Sequence, residues 1–279
     1  MPSVDIITDP NGVIRRCATQ PNPAGYVSKL KSVTSSDPKL LYSDADIRTH
    51  LADPNRVPSR VRFDSSWILD QRSKGSCEGH AEANVLGRGR VRRGLQKILF
   101  SGAYCYSKVN GGQDNGASLD DGRQALERWG ACPADLVTWE MIYPELQPKN
   151  ADEEAAKHKG IVALAIGDNS TPDLDFFQVL KSVLDAGYDC VVAVHVGNNF
   201  QNLDANGVAG VDSGPGNHAV CIDDVKFDEK TGLWLFDMAN SWGKQFGTDG
   251  RAYLRKEHFV QTRKNHTFWC LFSTNEAGI

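Results

Sequence analysis

Nowhere in the 279 residues is there a run of 18 or so apolar residues, so no membrane-spanning helix is expected. The amino terminus, Met1-Pro2-Ser3-Val4-Asp5, lacks the basic-then-apolar plan of a secretory signal. A cytoplasmic location is the expectation, and for a viral protein the host cytoplasm or the virion. The seven cysteines (Cys17, Cys77, Cys105, Cys132, Cys190, Cys221, Cys270) are odd in number and never spaced Cys-x-x-Cys. Free thiols are therefore expected, not a disulfide framework or a zinc site. No His/Asp/Glu group has metal-ligand spacing, so no metal or other cofactor is expected. Repeats and low-complexity tracts are missing as well. Positive charge is in short supply, 31 Lys and Arg against 35 Asp and Glu for a net charge of -4, which argues against nucleic acid as the partner. The local run Arg88, Arg90, Arg92, Arg93 reads as a solvated helix face.

With 40% hydrophobic and 24% charged residues, the chain can bury one large core or two lobes. Residues 1–56 are rich in Pro, Ser, Asp and Asn, with short apolar segments at Val4–Ile7 and Tyr26–Leu30 between breakers such as Asp9-Pro10-Asn11-Gly12. They read as an extended arm with a short helix at Asp44–Leu51, suited to regulation or to contact with a protein partner. At Val57 the composition turns apolar, and residues 57–279 are the expected compact domain. Its first half reads as helices and loops, including an amphipathic helix capped by Ser118 and stopped by Gly130. From Ile161 onwards, β-branched runs and a hairpin turn at Asp228–Gly232 read as antiparallel sheet, with one helix over Leu174–Ala186. The expectation is an α+β protein: a helical N-terminal lobe, an antiparallel C-terminal lobe, and a site in the cleft between them.

The stretch from Asp70 to Ala81 places Cys77 at a loop-to-helix junction with Ser76 as the cap. Backbone N–H groups and the helix dipole favour the nucleophilic thiolate there. A thiol nucleophile needs a base and a group that orients the base. His218, where a glycine-rich loop enters a strand, meets the first need. Asn240, at the far end of the proposed hairpin, meets the second, with Trp242 shielding the pair from water.

Set in order, these boxes resemble the papain-like cysteine proteases. Gln71 precedes Cys77 by six residues in Gln-(x)3-Gly-Ser-Cys; Asn217-His218-Ala219-Val220 and Asn240-Ser241-Trp242-Gly243 look like the histidine and asparagine boxes. His218 follows Cys77 by 141 residues, within the roughly 130–150 expected of the family, whereas Asn240 follows by 163, which the long hairpin explains. The segment Gly116–Asp121 through Trp129–Pro133 resembles the family's non-secreted bacterial and viral members. The likeness implies a barrel-like form for the C-terminal lobe, and a cysteine endopeptidase acting on a peptide or protein substrate. Cys77 would be the nucleophile, His218 the general base and then acid, Asn240 the orienting group, and Gln71 with the Cys77 N–H the oxyanion hole. Gly75, Gly116 and Trp242 would line the substrate site, with Gly111-Gly112 an alternative to Gly116. The chain departs from the pattern at Glu78, where an aromatic is usual, at His80, where Phe is usual, and at Lys74, where secreted relatives have a disulfide cysteine. Glu78 would either oppose the thiolate or point to solvent. His80 reads as a buried, hydrogen-bonded stand-in for the missing Phe. Two rival readings are a non-catalytic binding module of the same fold, and a hydrolase of cell-wall peptide cross-links or an acyl transferase.

Overall fold

The computed structural model describes residues 4–23, 30–33, 40–167 and 171–275, so Tyr26–Lys29 of the expected second apolar segment lie outside it. The arm opens with a hairpin, β1 (Asp5–Thr8) antiparallel to β2 (Ile14–Cys17), in the register Asp5 opposite Cys17. Its turn is tied by Asp9 Oδ1, which accepts the N–H groups of Asn11 and Val13 at 2.9 Å each. Gly12 supplies the positive φ of 78° that such a turn requires. The expected short helix is α1 (Asp44–Leu51), closed by a capping box between Ser43 and Asp46. A single turn, α2 (Ser59–Arg62), follows.

The helical lobe consists of α3 (Cys77–Arg92), α4 (Gly102–Ser107), α5 (Leu119–Arg128) and α6 (Ala151–Ala155). Ser118 caps α5 by accepting the Asp121 N–H, and Gly130, at φ 81°, ends it. Ser76 stands before α3 but makes no capping bond, and its hydroxyl is buried without a partner. Packing, not the cap, fixes where α3 begins, since residues Cys77 to Leu86 are all buried. Gly79 admits α4 at close range: a Cβ there would lie 2.3 Å from the Gly102 carbonyl.

The second lobe holds β3 (Gly160–Ala165), α7 (Asp173–Asp185), β4 (Cys190–Val194), β5 (His218–Asp228), β6 (Leu233–Ala239), β7 (Arg251–Leu254) and β8 (Trp269–Thr274). The six strands form one sheet in the order β3-β8-β4-β5-β6-β7, every pair antiparallel. β4 is buried along its whole length, as its unbroken run Cys-Val-Val-Ala-Val requires. α3 packs against α4 and α5 on one side and against β4, β5 and β8 on the other, so it is shared by both lobes.

That position overturns the reading of the basic run as a solvated face. Arg88 is fully buried and ion-paired with Asp223, and Arg92 pairs with Asp189 at 2.8 Å. Arg251 completes the group by bonding Asp223 and, at 3.1 Å, Asp237. The sheet supplies carboxylates that make burial of these guanidinium groups tolerable. Cys17, Val33 and Ile47 of the arm belong to the same hydrophobic core as α3 and the sheet.

Candidate active site

Cys77 is the first residue of α3, and His218 the first of β5, the strand on which α3 packs. The β5–β6 hairpin pairs Cys221 with Ala239 and so brings His218 beside Asn240. The imidazole Nε2 lies 2.8 Å from Asn240 Oδ1, which also accepts the Ser241 N–H at 2.8 Å. An amide oxygen can only accept, so Nε2 carries the proton and Nδ1 keeps its lone pair. Nδ1 is buried with no hydrogen-bond partner. Burial pushes the His218 pKa down to about 4; the Asn240 bond acts in the opposite sense and the Arg15 charge in the same one. Trp242 is fully buried, its ring 5.0 Å from that of His218.

Gln71 joins this group through Ser241. Its N–H donates to the Ser241 carbonyl at 2.8 Å, and the Ser241 hydroxyl donates to Gln71 Oε1 at 2.6 Å. With Oε1 occupied, Nε2 faces the other way, donating to the carbonyls of Lys74 at 2.7 Å and Arg16 at 3.0 Å. The Cys77 thiol is buried, and its sulfur meets the Thr19 hydroxyl at 3.2 Å rather than the imidazole.

Arg16 and Thr19 belong to the arm, which runs through the cleft. The Thr19 N–H donates to the carbonyl of Asn217, next to His218, and the Gln20 N–H to the carbonyl of Ala117, both at 2.9 Å. A Cβ on Gly116, which has φ 82°, would fall 1.4 Å from the Ala18 oxygen; one on Gly75 would lie 3.0 Å from the Ala18 Cβ. Both glycines expected to line the substrate site therefore lie against Ala18 of the arm, Gly116 against its carbonyl and Gly75 against its side chain. Gly111 and Gly112 have nothing within 4 Å of such a Cβ. Arg15 fastens the hairpin. Its Nε donates to Asp9 Oδ2 at 2.9 Å, one terminal nitrogen to Asp70 Oδ1 at 2.6 Å, and the other to the Trp242 carbonyl at 2.7 Å. Arg15, Arg16, Thr19 and Asp114, which Arg16 touches, were not among the candidates taken from the sequence. The signal that could have found the segment is Asn11-Gly12 between two short strands.

Glu78 does not point to solvent. It is buried beside Glu82, both carboxyls lying over the bare Cα of Gly122, where a Cβ would meet Glu78 Oε1 at 1.3 Å and Glu82 Oε1 at 2.4 Å. Burial raises both pKa values; for Glu82 the repulsion of Glu78 adds to it, and for Glu78 that of Cys77. His80 is buried too, with Nδ1 2.8 Å from the Ser76 carbonyl, and burial lowers its pKa to about 4. The described residues contain no group of three or more His, Cys, Asp or Glu side chains that could hold a metal, and no helix among them is long and apolar enough to cross a membrane.

No protein-family model matches the chain, and no curated protein matches it by sequence. Solved structures do. Xylellain, a cysteine protease from Xylella fastidiosa, superposes with a TM-score of 0.66 over 93% of this chain and 97% of its own, at 18% identity. The fold is papain-like. The ragweed pollen cysteine protease Amb a 11, in its proform, gives a TM-score of 0.59 at 19% identity, covering 80% of this chain and 67% of that one. Digestive procathepsin L 3 of Tenebrio molitor larvae gives 0.55 at 16% identity, over 77% and 68%. In this fold the first residue of α3 and the first residue of β5, Cys77 and His218, come from opposite lobes.

Proposed function

We propose that this chain is a latent cysteine peptidase that hydrolyses peptide or isopeptide bonds through an acyl-enzyme on Cys77. The His218–Asn240 pair carries the reading. It holds the imidazole in the tautomer whose free Nδ1 can take a thiol proton, on a fold shared with cysteine proteases. In the proposed cycle Cys77 Sγ attacks the substrate carbonyl while Nδ1 takes the thiol proton. The oxyanion is held by Gln71 Nε2 and the Cys77 N–H. Collapse expels the amine, which leaves with the proton from Nδ1, and water then hydrolyses the thioester with the imidazole again as base. Burial weakens the imidazole as a base, and the Asn240 bond works against that by favouring the imidazolium.

Latency rests on the arm. Arg16 places a carbonyl on the expected oxyanion donor and Thr19 a hydroxyl on the nucleophile, so a substrate enters once residues 16–20 have left. The seven buried free thiols fit a reducing compartment, in keeping with a cytoplasmic bacterial or viral enzyme.

The test is the rate of Cys77 alkylation by a small electrophile from pH 4 to 9, in the wild type and His218→Ala, with Cys77→Ala assigning the site. Labelling well below the reference thiol pKa of about 8.5, lost in His218→Ala, is expected. Labelling that rises only near that value and ignores the substitution would leave a papain-like binding module instead.

A further inference from the structure

We propose that Asp114 makes the cleft selective for a basic side chain, arginine above all, on the residue that donates the scissile carbonyl; the inference rests on the peptidase reading above. Arg16 is the observation behind it. Its carbonyl accepts from Gln71 Nε2 at 3.0 Å, the second N–H of that amide being spent on Lys74 within the same loop, so Arg16 stands where an acyl carbonyl is expected to sit. Its own guanidinium reaches Asp114, donating to the main-chain carbonyl at 3.1 Å and facing Oδ2 at 3.6 Å. Carbonyl and side chain belong to one residue. A substrate that sets its scissile carbonyl at Gln71 brings that residue's side chain within reach of the same carboxylate.

Asp114 is built for this. Its side chain is 11% exposed, and Oδ1 accepts the Gly75 N–H at 2.8 Å and the Tyr106 hydroxyl at 3.1 Å. Those bonds fix the carboxylate against the glycine just before Ser76 and Cys77, leaving Oδ2 for the visiting cation. Gly75 leaves room beside the carboxylate, since a Cβ there would lie 2.9 Å from Asp114 Oδ1. A carboxylate oxygen beside a main-chain carbonyl offers two acceptors, which suits the planar, multi-donor guanidinium better than an ammonium. An acidic side chain there would face like charge. The arm then occupies its own specificity pocket with the residue type the pocket selects.

The experiment uses the full chain and a matched set of peptidyl amides that differ only at the carbonyl-donating residue: Arg, Lys, Gln or Glu. The expected kcat/KM for Arg exceeds that for Gln by about tenfold, the return of one charge-assisted contact, with Lys between them and Glu lowest. Asp114→Asn, which keeps an acceptor for Gly75 and Tyr106, should bring the Arg-to-Gln ratio to within about twofold, and Asp114→Glu should retain part of it. A ratio near one in the wild type, or one unmoved by Asp114→Asn, overturns the proposal. General damage lowers both rates and leaves their ratio alone. Peptidyl-Arg and peptidyl-Gln chloromethyl ketones, with labelling of Cys77 read by mass spectrometry, separate the two readings. Arg-selective labelling lost in Asp114→Asn, with no peptide cleaved, keeps the pocket and removes the peptidase. Cleavage and labelling without side-chain preference keep the peptidase and remove the pocket.

Discussion

At the scale of single residues, the site divides into groups whose chemistry is local and groups whose role is set by distant parts of the chain. The meeting of His218 with Asn240 was legible because a hairpin can be read from its turn, and the boxes around Cys77 and Gln71 stood out by their residue order. Gln71 Nε2 is aimed by Ser241, so Gln71→Ala is expected to lower kcat by about 10²–10³ while leaving substrate affinity nearly unchanged, measured in steady-state kinetics. A fall confined to affinity would assign Gln71 to binding instead. Arg15 was not legible. Its partners Asp9, Asp70 and Trp242 are separated from it by 6, 55 and 227 residues, and nothing near Arg15 announces the last two. Arg15→Ala removes three bonds that hold the hairpin, and Cys77 should then be alkylated several-fold faster than in the wild type. Equal rates would mean that the arm stays seated without its clasp.

At the scale of elements, α3 explains why some readings missed. Its periodicity is weak because both lobes pack on it, and a helix buried nearly all round has no solvent stripe to detect. The same burial turned an expected surface run of arginines into an interior ion group, and of the two readings of Glu78 it removed the solvent-facing one. Gly122→Ala should destabilise the protein by about 1–3 kcal/mol, because the added methyl must displace carboxyls that have nowhere to go; urea unfolding measures it. The sheet was easier. β3 to β8 were all anticipated from their β-branched runs and turns, since strands buried on one or both faces carry strong patterns. The β1–β2 hairpin was missed because its strands are four residues each and its partner surface is the cleft, not another sheet.

At the scale of the whole molecule, two sets of buried ionisable groups give stability a pH dependence with opposing signs. His80, His218 and His266 have pKa values lowered by burial from 6.5 to about 4. The unfolded chain binds their protons first, so their contribution is complete above about 6.5 and is lost as pH falls towards 4. Glu78 and Glu82 have raised values, so the contribution of their neutral forms is complete below the ordinary 4.5 and is lost as pH rises. Above pH 6.5 the glutamates set the slope. Glu78→Gln should therefore lose less thermal stability than the wild type between pH 6.5 and 8.5, as followed by Tm. Identical slopes would show that the pair is ionised in the folded state.

The seated arm also has a consequence for any constant measured on this protein. On the proposed reading a segment of the same chain would compete with substrate at an effective concentration of about millimolar, and dilution would not remove it. If the cleft is open for a fraction f of the time, a substrate's apparent affinity is weakened by 1/f, about a hundredfold for an opening of about one in a hundred, while turnover at saturation is untouched. Loosening Arg15 should thus lower KM and leave kcat in place. Inhibitors ranked on the intact chain would keep their order, but every one of them would look weaker than it is by the same factor.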